Sequence, residues 1–162
     1  MKDIESKFCN TEQDLINLFA TWKNNKEEIV FTNGCFDILH KGHVHYLFEA
    51  SKLGTKLIIG VNSDRSVKGL NKGDNRPINN ENDRAYVLAA LEFVSAVTIF
   101  DEATPLLLIK KIVPNFLVKG GDYLPENVVG KDFVESKGGK LVLIPFLNGY
   151  SSTQIINLIL GK

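Results

Sequence analysis

A regular switch in hydrophobic period is the feature that most constrains the fold. Short β-branched runs at 29–32, 57–61, 94–100, 116–118 and 141–145 read as strands. Between them, residues 43–53, 81–92, 104–112 and 128–137 space their apolar side chains as amphipathic helices do, and further helices are predicted over 12–24 and 152–160. Strand and helix alternating this regularly imply parallel strands joined by right-handed crossovers, with helices on both faces of the sheet. The expected class is α/β, in three layers.

Composition narrows the function. The chain of 162 residues has the size of one domain. Its 19 Lys and Arg balance 19 Asp and Glu, which argues against a protein built to neutralise nucleic acid or an anionic membrane. A local cationic pocket for a small phosphorylated ligand remains compatible with that balance. Cys9 and Cys35 make neither a disulfide framework nor a thiolate cluster. No stretch approaches the ~20 apolar residues that span a bilayer, and the first residues hold no apolar leader segment, so a soluble cytoplasmic protein is expected. The expected organisation is an N-terminal helical extension over 1–28 and a main domain over 29–162.

Two long connections depart from the pattern, both at carboxyl ends of predicted strands, where open α/β sheets bind ligands. Residues 62–80 are polar and carry Arg65, Lys68, Lys72 and Arg76; residues 120–127 begin with a glycine pair. A long connection in a compact domain is usually functional or mobile.

Three clusters could carry chemistry. All the histidines, His40, His43 and His45, follow the first strand and its Asn33-Gly34 turn. Gly34 permits a sharp turn and close backbone approach to a ligand. His40 and His43 share a face if they enter the next helix, Gly42 leaves room for an approaching group, and Lys41 adds charge. The helix N-terminus there offers free N–H groups to a phosphate. A metal site through His-x-x-His-x-His competes, but no carboxylate pattern completes it and His45 falls on another helix face, so no metal ligands are assigned. The second cluster, Gly149-Tyr150-Ser151-Ser152-Thr153, reads either as a well-capped helix start or as an anion cradle. The third is Lys119-Gly120-Gly121-Asp122-Tyr123, either a plain turn or a surface for a base or sugar, with Asp122 accepting from hydroxyls. The loop cations have a solvated-surface reading of their own. Gly-x-x-x-x-Gly-Lys-Ser/Thr, Gly-x-Gly-x-x-Gly and Gly-x-Ser-x-Gly are all absent, which disfavours P-loop hydrolases, ordinary dinucleotide dehydrogenases and serine hydrolases. Nothing near Cys35 in the sequence marks an activated thiolate.

Cys35-Phe36-Asp37 followed by His40-Lys41-Gly42-His43 resembles the nucleotidyltransferase superfamily marked by a His-x-Gly-His motif, and Gly149 to Thr153 look like its second motif. The resemblance runs from about residue 29 to residue 160. Four stretches are most similar to the adenylyltransferases of bacterial ADP-heptose synthesis: Thr32-Asn33-Gly34, Val61-Asn62-Ser63-Asp64, Gly73-Asp74-Asn75-Arg76-Pro77-Ile78 and Lys119 to Tyr123. The superfamily implies a Rossmann-like five-stranded parallel sheet in the order 3-2-1-4-5.

The activity implied is transfer of AMP from ATP to a heptose 1-phosphate, with Mg²⁺ bridging the phosphates and pyrophosphate as the other product. Carried over residue by residue, the resemblance makes His40, His43 and Lys72 catalytic. It gives nucleotide contacts to Asn33, Gly34, Cys35, Phe36, Lys41, Gly42, Lys119, Gly149, Ser151, Ser152 and Thr153. Contacts to the sugar phosphate fall to Asp37, Lys68, Arg76, Asp122 and Tyr123. The partners implied are ATP, a sugar phosphate and a second copy of the chain, with no nucleic acid and no membrane. Phe146-Leu147 stand where related cytidylyltransferases carry Arg-Thr, and Cys35 stands where Thr is frequent. A cytidylyltransferase for a polyol phosphate and a non-catalytic nucleotide-binding module are the alternatives.

Overall fold

The computed structural model describes residues 3–70, 76–121 and 123–161. Lys72 and Asp122, both named above, lie outside the described residues. Five parallel strands form one sheet in the order β3-β2-β1-β4-β5, as the resemblance implied. They are β1 (Ile29–Gly34), β2 (Lys56–Asn62), β3 (Ala96–Phe100), β4 (Phe116–Gly120) and β5 (Lys140–Ile144).

The alternation of side chains along β1 builds the two cores. Phe31 faces a cluster with Ile58, Ile109 and Leu117, while Val30 faces one with Leu47, Leu57 and Val118. On the first face lie α1 (Glu12–Asn24), α5 (Leu106–Ile112) and α6 (Lys131–Ser136); on the other lie α2 (Lys41–Ser51) and α4 (Glu81–Ala89). The N-terminal helix is no loose appendage. Thr11 and Asp14 close a capping box at its start. Its Leu15, Phe19 and Trp22, spaced four and three apart, are buried in the same core as Phe31. Ahead of it, the Cys9 N–H donates to Val97 O at 2.9 Å, stitching the segment to β3.

Several element boundaries differ from the sequence expectation, and the differences matter for the site. β1 and β4 each run two residues further than expected. Asn33 and Gly34 keep pairing with Gly60 and Val61, and Lys119 and Gly120 with Leu143 and Ile144. Both strands therefore carry polar residues to the rim where connections leave β1 toward β2 on one side and β4 toward β5 on the other, the switch point of the sheet. The connection 62–80 is not all loop: α3 (Asp64–Gly69) forms within it, capped by Ser63 Oγ accepting from Ser66 N at 3.0 Å and anchored by buried Val67. The last helix, α7 (Ser152–Ile159), has no buried residue. Among the described residues no helix is long and apolar enough to cross a membrane.

Candidate active site

A cavity of about 570 Å³ opens at the carboxyl ends of β1 and β4. Its first wall is the turn after β1. Phe36 holds a left-handed φ of 48°, uncommon for a bulky residue, and its ring meets the His43 ring edge-on at 5.2 Å. His40 is the N-cap of α2, its Nδ1 accepting from the His43 N–H at 3.3 Å. Because Nδ1 accepts, the neutral ring carries its proton on Nε2, the remaining nitrogen. Burial lowers the His40 pKa, so the ring is a neutral donor at pH 7. The two imidazoles stack 3.8 Å apart at 19°.

The second wall is the start of α7, and it is tied directly to the first. Ser152 Oγ donates to the Ile38 carbonyl at 3.2 Å, across 114 residues of sequence. Ser151 caps the helix by accepting from Gln154 N at 3.1 Å. A Cβ at Gly42 would lie 3.0 Å from the Tyr150 Cβ and 3.1 Å from the His40 ring, so the glycine is what allows the two motifs to close on each other. The orphan N–H groups of α7's first turn then face the same space as the histidines.

The floor comes from β1 and β4. Lys119 Nζ donates to Asn33 Oδ1, and burial pulls the ammonium's pKa down to about 8. Tyr46 lies beside them, its hydroxyl 2.7 Å from Thr32 Oγ1 and its pKa pushed up by burial. Phe146 lies on the glycine pair: a Cβ at Gly120 would come within 2.6 Å of its ring, and one at Gly121, where φ is +90°, would overlap it.

The rim is braced by two buried ionic groups. Asp37 accepts from Ile78 N at 2.8 Å and Asn79 N at 2.9 Å, and its other oxygen sits 2.5 Å from Arg76 Nε. The carboxylate thus fastens the end of the long connection to the His-bearing turn. Arg84 donates to Cys35 O, Asn62 O, Asn79 O and the Asp64 carboxylate, drawing the β1 turn, the end of β2 and the approach to α4 together.

The cavity brings together most of the residues named from sequence. His40, His43, Asn33, Gly34, Cys35, Phe36, Gly42, Lys119, Ser151, Ser152 and Thr153 line it, and so do Asp37, Arg76 and Tyr123. Three named residues are not in its lining. Lys41 is exposed at the first position of α2, its Nζ 5.4 Å above the Tyr150 ring. Lys68 is exposed on α3, and Gly149 forms the turn ahead of α7 at φ 85°. Sequence reasoning did not single out Tyr46, Phe146, Leu147 and Tyr150 as site residues, though all four line the cavity. Phe146 and Leu147 precede the second motif and Tyr150 lies inside it, a proximity signal that was present; for Arg84 the sequence offers none.

A parallel sheet with imidazoles, a half-buried lysine and a helix N-terminus around its switch point is a Rossmann-like α/β arrangement suited to an anionic ligand. The chain belongs to the cytidylyltransferase-like family, whose model matches residues 31–158. It is 51% identical over 161 residues to the bifunctional protein HldE of Trichlorobacter lovleyi, covering 99% of this chain and 32% of that one. The HldE of Campylobacter fetus is 52% identical over 163 residues, with 99% and 34% covered. The chain therefore spans about a third of the length of these curated relatives. Among solved structures, a lipopolysaccharide core biosynthesis protein from Thermoplasma volcanium superposes with a TM-score of 0.63 at 26% identity, covering 77% of this chain and 99% of that one. A pantoate-beta-alanine ligase from Francisella tularensis shares the fold, with a TM-score of 0.58 at 14% identity over 96% and 78% of the two chains.

Proposed function

We propose that the chain transfers AMP from ATP to a heptose 1-phosphate, releasing pyrophosphate and forming ADP-heptose for the synthesis of lipopolysaccharide or a similar surface glycan. The observation that carries this reading is the docking of α7's first turn on the His-bearing turn through Ser152 and Ile38. It puts the histidine turn and the α7 N-terminus, the two devices that bind phosphate in this reading, on one cavity. The likeness to proteins named HldE and to a lipopolysaccharide core biosynthesis protein supports the sugar class.

The chemistry asks little of the protein beyond position and charge. An oxygen of the sugar phosphate, already anionic at neutral pH, attacks the α-phosphorus of ATP. The new P–O bond forms as the bond to the β-phosphate oxygen breaks, and pyrophosphate leaves with that electron pair. No general base or covalent intermediate is required. His40, donating from Nε2, and His43 stabilise charge growing on the leaving group. Ser151, Ser152, Thr153 and the α7 N–H groups hold the β- and γ-phosphates. Lys119 carries charge at the floor, and Arg76 and Tyr123 meet the sugar phosphate.

Mg²⁺ enters as part of the Mg–ATP substrate. Among the described residues no three His, Cys, Asp or Glu side chains converge as a metal cage, and the Asp37 carboxylate is engaged by Arg76. That suits an ion held chiefly by phosphate oxygens and water. The enzyme works as a cytoplasmic homodimer in this reading; the apolar residues Leu158, Ile159 and Leu160, exposed at the end of α7, support self-association.

The test is incubation with heptose 1-phosphate, Mg²⁺ and either ATP or CTP, with pyrophosphate measured. Release with ATP is expected. Release with CTP alone would identify a cytidylyltransferase, and no release with either would identify a binding module.

A further inference from the structure

The crevice floor poses a problem of its own. Lys119 and Asn33 sit on neighbouring strands, β4 and β1, and their side chains meet beneath the cavity. Lys119 is half-buried at the end of β4, where the protein strips much of the water from its ammonium, and it lines the cavity. A buried ammonium normally has a carboxylate beside it. Among the described residues none lies within ion-pair distance: Asp37, the carboxylate that lines this cavity, is paired with Arg76. The partner that Lys119 does have is a neutral amide oxygen.

We infer that Asn33 is a positioning residue, a neutral acceptor that holds the Lys119 ammonium at the crevice floor without cancelling its charge, so that the counter-ion is a phosphate of the substrate. The inference rests on the ATP-dependent reading above. One of the three ammonium protons goes to Asn33, leaving two donors for an incoming anion. A carboxylate at position 33 would hold the amine equally well but compete with the phosphate for its charge.

A linkage follows. With burial holding the empty site's lysine near pH 8, an arriving phosphate restores the proton, and binding takes one up from solution. The other titratable groups facing the cavity are Asp37 and Arg76, paired with each other, and Cys35, His40, His43, Tyr46, Tyr123 and Tyr150. Burial keeps His40 neutral and Tyr46 protonated at this pH.

The experiment is calorimetric titration of the full chain with Mg–ATP at pH 8, in buffers of different ionisation enthalpy. Wild type is expected to take up about half a proton per ATP, given a lysine pKa of about 8 in the empty site. Lys119→Met should lose the uptake, which separates the lysine from the surrounding imidazoles and phenols. Asn33→Asp should also lose it, because its lysine is charged beforehand, and should bind ATP at least about tenfold more weakly. Asn33→Ala should keep the uptake while weakening binding. Wild type binding ATP with no proton uptake, or uptake surviving in Lys119→Met or Asn33→Asp, would overturn the inference while leaving the proposed function standing. Failure of wild type to bind ATP at all would remove the functional reading, and the inference with it.

Discussion

Replacing Arg84 by methionine tests whether the site's frame depends on a single buried side chain. The guanidinium is 3% exposed. It donates to Cys35 O at 2.5 Å, Asn62 O at 2.7 Å, Asp64 Oδ1 at 2.7 Å and Asn79 O at 3.0 Å. Methionine fills much of the stem's volume but donates nothing. Two main-chain carbonyls at strand ends, Cys35 and Asn62, lose this charged donor, at about 1–3 kcal/mol each. The Asp64 carboxylate loses its ion pair as well. Relief of the cost of burying the guanidinium offsets part of this. The net expectation is a loss of about 3 kcal/mol, a large share of the roughly 5–15 kcal/mol typical of a domain. At a urea m-value of about 2 kcal/mol/M, that lowers the unfolding midpoint by about 1.5 M. Urea titration followed by circular dichroism at pH 7 measures it. Arg84→Lys should recover only part, since one ammonium does not span four acceptors in different directions. A methionine variant within about 1 kcal/mol of wild type would show that these stretches hold together without the brace, and that the reasoning from unsatisfied acceptors is wrong here.

Other perturbations probe the walls of the cavity. His43→Ala should lower turnover by roughly 10²-fold or more with the urea midpoint nearly unchanged, on the scale of a lost oxyanion donor; near-normal turnover removes His43 from the mechanism. Gly42→Ala puts a methyl 3.0 Å from the Tyr150 Cβ and 3.1 Å from the His40 ring, so KM for ATP should rise about tenfold or more. An unchanged KM would show that the two motifs separate without penalty. His40 has a folded pKa below its unfolded value, so its contribution to stability is complete above pH 6.5 and is lost as pH falls through the folded pKa. Urea midpoints measured down from pH 7.5 should show that loss, and His40→Asn, which keeps a capping acceptor, should flatten it.

How much of this was legible beforehand depended on whether the signal was local. The strands and the helix over 12–24 announced themselves through hydrophobic spacing, and α1 matches that range at both ends. The histidines and the serine cluster were legible as candidate phosphate binders because helix N-termini and hydroxyls act locally. Their meeting was not, since the Ser152 to Ile38 bond closes only once the sheet order places β1 beside β4. Asp37 illustrates the same limit. The carboxylate lines the cavity, but nothing local in the sequence shows that Arg76 and the backbone of Ile78 and Asn79, some forty residues on, meet it. Arg84 was invisible for a related reason: on its helix it looks like any surface arginine, and only its meeting with Cys35, Asn62, Asp64 and Asn79 makes it interior. The helix α3 was hidden by polarity, its one deeply buried apolar residue, Val67, being too little for a periodicity.

The two walls of the cavity proposed to hold phosphate are anchored very differently. The histidines stand on a turn welded to the central strand, whereas α7 has no buried side chain, and its Leu158 and Ile159 are 80% and 75% exposed. Such an element can detach by local opening, at far less cost than global unfolding. Where α7 stays unpartnered, nucleotide occupancy is coupled to the docking equilibrium of that helix, and a ligand bridging both walls strengthens it by mass action. Amide hydrogens of the closing helix should exchange rapidly in the empty protein and slow with bound nucleotide, while those of the central strand stay protected throughout. Affinity in this fold is then adjustable from the periphery, by residues that never touch the ligand.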